Sequence, residues 1–267
     1  MIVRFGFYKD GKRRALTMSY DDGRTQDLRL LNIFNLHGIR GTFHLNSGKL
    51  DNEKYVNPED VREKYRRHEI SAHTLTHPFF DRISNEELLH EVMGDRESLE
   101  ALCGYPVRGM SYPFGCYTQG NIPLLEMMGM KYSRTTRSTH SLALPERFME
   151  WHPTCHHNDE KLFELLEKFL SYKHPMPLLY VWGHSYEFDR DDNWEHIERF
   201  CAEAGGKEDV WYATNIEIYD YITALHSLAF SADRTVVYNP TATDVWISVD
   251  GAPVRVPTGA TIDLKTM

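Results

Sequence analysis

The sequence has few cysteines, no surplus of positive charge and no long apolar run. Its four cysteines are scattered and include no C-x-x-C pair, which argues against a disulfide framework and favours reduced thiols. The 30 basic residues are outnumbered by 39 acidic ones, and a formal net charge of −9 argues against nucleic acid as a partner. No stretch approaches the ~18 apolar residues of a membrane span.

The N-terminus also lacks the apolar core of a signal peptide, because charged residues recur every few positions from Met1 to Arg14. These absences predict a cytoplasmic protein without a nucleic-acid or membrane partner, and they leave a homo-oligomer open. At 267 residues, the chain is long enough for one large barrel-type domain and a small appendage.

Short β-rich runs alternate with helix-like segments over most of the chain. The predicted strands are Arg14–Tyr20, Gly41–Leu45, Glu69–His73, Val107–Tyr112, Lys131–Thr135, Pro177–Trp182 and Asp209–Ala213. The predicted helices are Thr25–His37, Pro58–Arg67, Asn85–Cys103, Gln119–Met128, Asp159–Tyr172, Asp192–Ala204 and Asn215–Ser227. Repeated strand–helix units imply parallel strands joined by crossover helices. The predicted fold class is therefore α/β, a distorted (β/α) barrel of about seven units over residues 1–227.

The pattern changes at residue 228, where β-rich runs and turn signals continue without a helix. Asp250-Gly251 is typical of a hairpin turn. Roughly forty residues of β-meander are marginal alone, so residues 228–267 are predicted to pack on the barrel as a small β appendage. Trp246 in this appendage belongs either to a carbohydrate-binding flap or, as we favour, to core packing or a dimer contact.

Polar residues collect at or just past the carboxyl ends of the predicted strands. They are Asp21, Asp22, His44, His73, Tyr112, Pro113, Arg134, His184 and Thr214. In (β/α) barrels the rim at this end of the strands carries the active site. Because chance does not place polar side chains at the same end of each strand, the pattern predicts a functional site there.

Two neighbouring carboxylates, Asp21 and Asp22, repel each other unless a positive group lies beside them. His73 and His77 offer two imidazoles, and Pro78 favours a loop over a helix at that point. Two histidines and one carboxylate suit Zn²⁺, Co²⁺ or Mn²⁺ and leave coordination positions open for catalysis. The second carboxylate is then free to act as a base. The alternatives are a polar turn for the aspartates and a solvated surface for the histidines.

The residues at these positions resemble a known family. Ser19–Gly23 resembles the [ST]-[FY]-D-D-G motif of the NodB-type polysaccharide deacetylases, which are metal-dependent carbohydrate esterases, and His73–Pro78 is similar to their H-[ST]-x-x-H-P motif. Tyr112–Gly115 resembles the third, Pro-Tyr/Phe-Gly motif more loosely, and Val181–His184 resembles the segment with a late, strand-borne histidine. The resemblance covers about residues 14–215, with the motifs in the family's order.

The resemblance implies one divalent metal ion bound by Asp22, His73 and His77. Zn²⁺ is the first choice, and Co²⁺, Mn²⁺ or Ni²⁺ are alternatives. Asp21 is then the general base.

The resemblance also implies the groups that meet the substrate. The backbone N–H of Phe114 holds the oxyanion, with Tyr112 beside it, and His184 is the general acid. The implied partner is an acetylated carbohydrate, and the implied reaction removes an acetyl group from an N-acetylated sugar or oligosaccharide.

The sequence departs from the family at two points. Ser111 stands where the family usually has an arginine that orients the base, so either Arg108, three residues earlier, or another group such as Arg134 is expected to serve. Trp151 is the candidate for a tryptophan that packs on the catalytic histidine, although its neighbours fit that motif poorly. The alternative for Trp151 is a buried aromatic residue at a strand end.

A second histidine cluster lies at Cys155-His156-His157. Adjacent residues of an extended chain point in opposite directions, so a shared metal is disfavoured and one of the two histidines is a candidate for substrate contact. His44 is expected to be a satisfied structural histidine. Glu187, near His184, is left undecided.

Two other functions remain open from the sequence. The first is that the same barrel hydrolyses a non-sugar amide or ureide, or an O-acetyl ester. The third interpretation, favoured by the displaced arginine, is a catalytically inactive carbohydrate-binding protein.

Overall fold

The longest strand of the computed structural model, which describes residues 1–50 and 52–266, is β2 (Arg14–Asp22). Eight of its nine residues are buried, because apolar side chains on both faces pack against other elements. It pairs in parallel with β3 (Gly41–Leu45) on one edge and with β8 (Leu178–His184) on the other. This strand therefore lies at the centre of the sheet that carries the site.

The sheet has eight parallel strands and curls towards a barrel, which confirms the predicted fold class. Its other strands are β4 (Glu69–Ala72), β5 (Gly109–Ser111), β6 (Tyr132–Arg134), β7 (Cys155–His156) and β9 (Val210–Tyr212). Their order is β6-β5-β4-β3-β2-β8-β7, and β9 pairs with the first residues of β2.

All seven predicted helices form. They are α1 (Asp27–Leu36), α2 (Pro58–Lys64), α3 (Asn85–Cys103), α4 (Asn121–Met127), α5 (Leu162–Ser171), α7 (Trp194–Ala204) and α8 (Asn215–His226). A short additional helix, α6 (Glu187–Arg190), follows β8. α3 begins with a capping box between Ser84 and Glu87 and ends at Gly104, whose φ of 80° suits glycine.

Strand β7 was not predicted from the sequence, whereas the last predicted strand, Asp209–Ala213, forms as β9. The two residues of β7 are too few to show a periodic pattern. Backbone hydrogen bonds of Trp151 with Ser133 and Thr135 join β6 to the segment that continues into β7. This segment therefore connects β6 to β8 through β7 and continues the curved sheet. β9 lies beside the first residues of β2.

The chain beyond α8, together with β1 near the start of the chain, forms two small antiparallel sheets. One combines β1 (Val3–Phe5) with β12 (Val245–Val249) and β13 (Ala252–Val256), and the other combines β10 (Ala229–Phe230), β11 (Val236–Tyr238) and β14 (Thr261–Asp263). The predicted turn at Asp250-Gly251 joins β12 to β13, and both residues have positive φ. Trp246 packs, partly buried, against the core beside these sheets. The division of the chain at residue 228 stays a prediction.

The four cysteines are free thiols, three of them buried. One core cluster fills the space between the sheet and the helices, and a second lies towards the small sheets. Among the described residues, no helix combines the length and the apolar character needed to cross a membrane.

Candidate active site

The register of β2 brings the polar strand ends together. Asp21 lies opposite His44 on β3 and opposite His184 on β8. His73 follows β4 directly, and Arg134 is the last residue of β6. Because parallel strands end at the same edge, these five side chains share one rim of the barrel.

Three of the predicted side chains lie as metal ligands require. Asp22 Oδ1 is 3.8 Å from His73 Nε2 and 3.8 Å from His77 Nε2, and the three ligand atoms all lie within 4.8 Å of one another. Burial lowers the pKa of both imidazoles, which keeps them neutral, as metal binding requires. This donor set fits one divalent ion of the zinc class.

The ring of His73 is oriented by Ser111. His73 Nδ1 is 2.7 Å from the Ser111 hydroxyl and 3.0 Å from its carbonyl oxygen, so Nδ1–H donates and Nε2 keeps its lone pair. Nε2 is the atom that faces Asp22. A hydrogen bond behind a metal-ligating histidine commonly fixes its tautomer and direction in this way.

The loop that carries both histidines is tied to α3. The backbone N–H of His73 donates to Asp95 at 2.9 Å, and the backbone N–H and hydroxyl of Thr76 donate to Glu91 at 2.8 and 2.6 Å. Burial raises the pKa of Asp95 to about 7, against the backbone and side-chain hydrogen bonds that lower it. The loop is therefore held by acids on a rigid helix.

Four residues of the site have positive φ although none is glycine. The angles are 78° at Asp22, 69° at Thr74, 67° at His77 and 56° at Phe114. Each such residue costs on the order of 1–3 kcal/mol and persists when its surroundings hold it. These backbone conformations therefore cost stability. They orient the side chains of two candidate ligands, Asp22 and His77, and the turn that contains Phe114.

Asp21 is buried and faces a full positive charge. Arg134 Nη2 contacts Asp21 Oδ2, and the Ser111 hydroxyl donates to Oδ1 at 3.1 Å. Burial alone would raise the pKa of Asp21, but Arg134, with His73, His44 and His184, holds this pKa well below its usual range. This lowered pKa favours the ionised form of Asp21 near neutral pH.

The arginine at the base is Arg134, whose guanidinium also lies 4.4 Å from the Trp182 ring centroid. Arg108, a candidate from the sequence, lies elsewhere: its guanidinium donates to both oxygens of Asp220 at 2.9 and 2.6 Å. The reason is topological, because Arg108 precedes β5 and so lies at the opposite end of the barrel. Its assignment as a substrate residue is corrected by this placement.

Trp151 and Tyr112 are also buried away from any substrate. Trp151 is 1% exposed and packs edge-on against Tyr132 and Tyr180. Tyr112 is fully buried, its hydroxyl donates to the Met149 carbonyl and its N–H to the Arg134 carbonyl. Both side chains serve the core, and the aromatic residue over Arg134 is Trp182.

Phe114 is placed as a substrate residue requires. Its side chain is 54% exposed, stacks on Phe79 with 3.8 Å between ring centroids, and meets His77 edge-on at 4.3 Å. Within the described chain, the backbone N–H of Phe114 makes no hydrogen bond, whereas those of Gly115 and Cys116 close the turn. This N–H is available to an oxyanion.

His184 is associated with Glu187, whose role the sequence left undecided. Glu187 Oε2 accepts the backbone N–H of His184 at 3.2 Å and lies 3.4 Å from its Nδ1. Burial lowers the pKa of His184, but Glu187, Asp21 and Asp22 outweigh it and raise this pKa above its ordinary value. In the sequence, the H-x-x-E spacing of His184 and Glu187 at the start of a helix was the pattern that could have predicted this pair.

The remaining histidines differ in their surroundings. His44 is buried, its Nε2 lies 2.9 Å from the Ser19 hydroxyl, and burial lowers its pKa to about 3, as suits a structural residue. His156 and His157 both approach Glu187, at 3.0 and 3.3 Å. The expectation that these neighbours point in opposite directions is therefore wrong.

Comparison with known proteins agrees with this geometry. Residues 8–133 match the family described as polysaccharide deacetylase, so the resemblance to the NodB-type enzymes is confirmed. A chitooligosaccharide deacetylase of Bradyrhizobium sp. (strain ANU 289) is 29% identical over 112 residues, which are 40% of this chain and 48% of that protein. This chain thus spans about half the length of the curated relative that it matches.

Solved structures show the same fold. A crystal structure described as a putative polysaccharide deacetylase from Mycobacterium smegmatis is 19% identical with a TM-score of 0.61, covering 84% of this chain and 96% of that one. A CE4 family pseudoenzyme from Bacillus anthracis is 18% identical with a TM-score of 0.50, covering 80% and 68%. Since one of these neighbours is a pseudoenzyme, the fold alone does not establish catalysis, and the side chains must carry that argument.

Proposed function

We propose that this chain, whose residues 8–133 match the polysaccharide deacetylase family, is a metal-dependent hydrolase that removes the acetyl group from an N-acetylated sugar or oligosaccharide. The observation that carries the proposal is a buried Asp21, paired with Arg134, beside the candidate ligand cluster of Asp22, His73 and His77. The activity printed for the Bradyrhizobium relative supports an acetylated carbohydrate as substrate.

The three ligands suit one divalent ion, with Zn²⁺ the best match to two imidazoles and a carboxylate. When bound, the ion supplies Lewis acidity, which polarises the acetyl carbonyl and eases the deprotonation of water. His77 and Asp22 are partly exposed, whereas His73 is buried, so the cluster opens towards solvent on one side.

Asp21 takes the proton of the attacking water. Arg134 keeps Asp21 ionised and fixes one of its oxygens, and the Ser111 hydroxyl fixes the other. The same hydroxyl contacts His73, so base and ligand are positioned through one side chain. A base held in this geometry contributes roughly 10²- to 10⁴-fold to the rate.

The backbone N–H of Phe114 stabilises the negative charge that develops on the carbonyl oxygen. His184 donates a proton to the departing amine nitrogen, because an amine leaves poorly without one. Its raised pKa keeps the imidazole protonated closer to neutral pH than an ordinary histidine. The presence of ligands, base and acid together argues against the inactive carbohydrate-binding alternative.

The proposal is tested by acetate release from a panel of soluble substrates with Zn²⁺-loaded protein. The panel contains N-acetylated oligosaccharides, O-acetylated sugars and small non-sugar amides. We expect release chiefly from the N-acetylated oligosaccharides. Turnover of the amides or the esters alone would overturn the substrate class, and silence across the panel in metal-loaded protein would leave a binding protein.

A further inference from the structure

Three imidazoles gather around a single carboxylate oxygen beside the proposed active site. Glu187 Oε2 lies 3.0 Å from His156 Nε2, 3.3 Å from His157 Nε2 and 3.4 Å from His184 Nδ1. One ligand atom each from His156, His157 and Glu187 lies within 4.8 Å of the other two. None of these three residues belongs to the cluster of Asp22, His73 and His77.

The second observation is the state of the His157 ring. The ring is fully buried, and within the described chain neither of its nitrogens has a hydrogen-bond partner. A buried polar atom without a partner costs about 1–3 kcal/mol, so a ligand bound to the His157 ring would remove this cost. The unpartnered Nε2 is the nitrogen that faces Glu187.

The surroundings hold this ring in place. It stacks on Phe188 at 4.3 Å and on Tyr20 at 5.6 Å between ring centroids. A Cβ at Gly183 would come within 2.0 Å of His157 Nδ1, so the glycine makes room for the ring. An imidazole fixed by packing on several sides is preorganised as a ligand.

The chain path explains how two neighbouring histidines meet one carboxylate. β7 ends at His156, and His157 turns away from the strand while its N–H bonds to the Trp182 carbonyl. Glu187 begins α6 directly after β8, the strand that pairs with β7. Neighbouring parallel strands therefore deliver all three side chains to the same rim.

We propose that His156, His157 and Glu187 bind a second divalent cation of the zinc class, separate from the ion at Asp22, His73 and His77. Two imidazoles and one carboxylate are a donor set that Zn²⁺, Co²⁺ and Mn²⁺ accept. Arg190 lies 3.4 Å from the other oxygen of Glu187, Oε1, whereas Oε2 is the oxygen that faces His156 and His157.

The test is the number of Zn²⁺ or Co²⁺ ions bound per chain, measured by equilibrium dialysis and elemental analysis. Wild-type protein is expected to bind two ions. His156→Ala and Glu187→Gln are each expected to bind one, and His77→Ala, the matched variant at the other cluster, is also expected to bind one. His156→Ala combined with His77→Ala is expected to bind none.

His156 is partly exposed, and Glu187→Gln preserves side-chain shape, so at least one variant keeps the fold, which thermal unfolding checks. One ion in the wild type that His156→Ala and Glu187→Gln both retain would overturn the proposal and leave a hydrogen-bonded cluster. An ion lost in His156→Ala but kept in His77→Ala would support this site and refute the metal site of the proposed function. The two proposals therefore fail separately.

Discussion

Two buried carboxylates at opposite ends of the same barrel have pKa values that are shifted in opposite directions. Asp21, at the carboxyl end, is 2% exposed, and Glu69, at the start of β4, is 6% exposed. Burial would raise the pKa of either acid. Arg134 and nearby imidazoles nevertheless hold the pKa of Asp21 well below its usual range, whereas burial raises that of Glu69 to about 7.

The difference lies in the neighbours. Glu69 accepts hydrogen bonds from the Tyr132 hydroxyl at 2.7 Å, the Thr42 hydroxyl at 2.9 Å and the Ile216 N–H at 2.9 Å, all of which are neutral. These three hydrogen bonds lie inside the protein and satisfy the Glu69 carboxyl group, so this acid has a structural role at the amino end of the barrel. The carboxyl end instead combines full charges with ligand atoms that the chain leaves open. Similar burial thus accompanies opposite pKa shifts at the two ends, because the neighbouring groups differ in charge.

The largest expected effect comes from removing the charge of the base. Asp21→Asn should lower kcat by roughly 10²- to 10⁴-fold, because the amide cannot accept the proton of water. Steady-state acetate release and metal analysis of the same sample measure both consequences. Metal content should match the wild type, with Asp22→Asn as the control that loses the ion. Equal loss of metal in Asp21→Asn would contradict its assignment as the base.

Removing the charge of Arg134 tests why the pKa values of Asp21 and Glu69 are shifted in opposite directions. Arg134→Met leaves Asp21 buried without its partner and should lower the free energy of unfolding by about 3–5 kcal/mol. Arg108→Met breaks a half-exposed pair with Asp220 and should cost about 0–1 kcal/mol. Urea unfolding of both variants measures the difference. Similar losses in the two variants would show that Arg134 is not the group that stabilises the buried charge.

Removing the ionisable group at the amino end should change the pH dependence of stability. Because the folded pKa of Glu69 is raised to about 7, the folded state keeps a proton that the unfolded state releases above its ordinary pKa. Stability is therefore full below about pH 4.5 and falls as pH rises through 7, by roughly 1.4 kcal/mol for each unit of pKa difference.

Glu69→Gln should make this fall shallower between about pH 4.5 and 7, the range between the ordinary and the raised pKa of Glu69. Asp27 and Asp95, whose pKa values burial also raises to about 7, keep part of the slope. Urea unfolding at several pH values measures it. A slope unchanged from the wild type would mean that Glu69 is ionised in the fold.

The smallest expected effect concerns the exposed ring of Phe114. Phe114→Ala should raise KM for an oligosaccharide about 2- to 10-fold, the worth of one aromatic contact, and leave kcat nearly unchanged because the backbone N–H remains. Met127→Ala, at a more exposed apolar residue on α4, is the control. A large drop in kcat with constant KM would assign the ring a different role.

Much of the fold was readable from the sequence because hydrophobic periodicity and strand ends repeat regularly. Placing Asp22 and His73 at strand ends was enough to bring them together, since parallel strands end at one edge. Arg108 was a weaker choice for a physical reason: it precedes its strand, whereas Arg134 ends one. Closeness in sequence to the third motif was a poorer guide than position along the strand.

Other features depend on the chain path and were beyond the sequence. β7 has too few residues for a pattern, and the turn at His157 reverses the alternation of side chains that an extended segment would have. Trp151 lies beside β6 and Trp182 lies within β8, and only packing distinguishes the residue against Tyr132 from the one over Arg134. Such features require the three-dimensional register.

The most direct test of the proposed chemistry is acetate release from soluble N-acetylated oligosaccharides by chelator-treated protein, before and after Zn²⁺ or Co²⁺ is returned. We predict negligible release from the metal-free protein and recovery when metal is restored, with Asp21→Asn silent in both states. Undiminished release from protein shown to be metal-free would contradict metal-dependent deacetylation at this site.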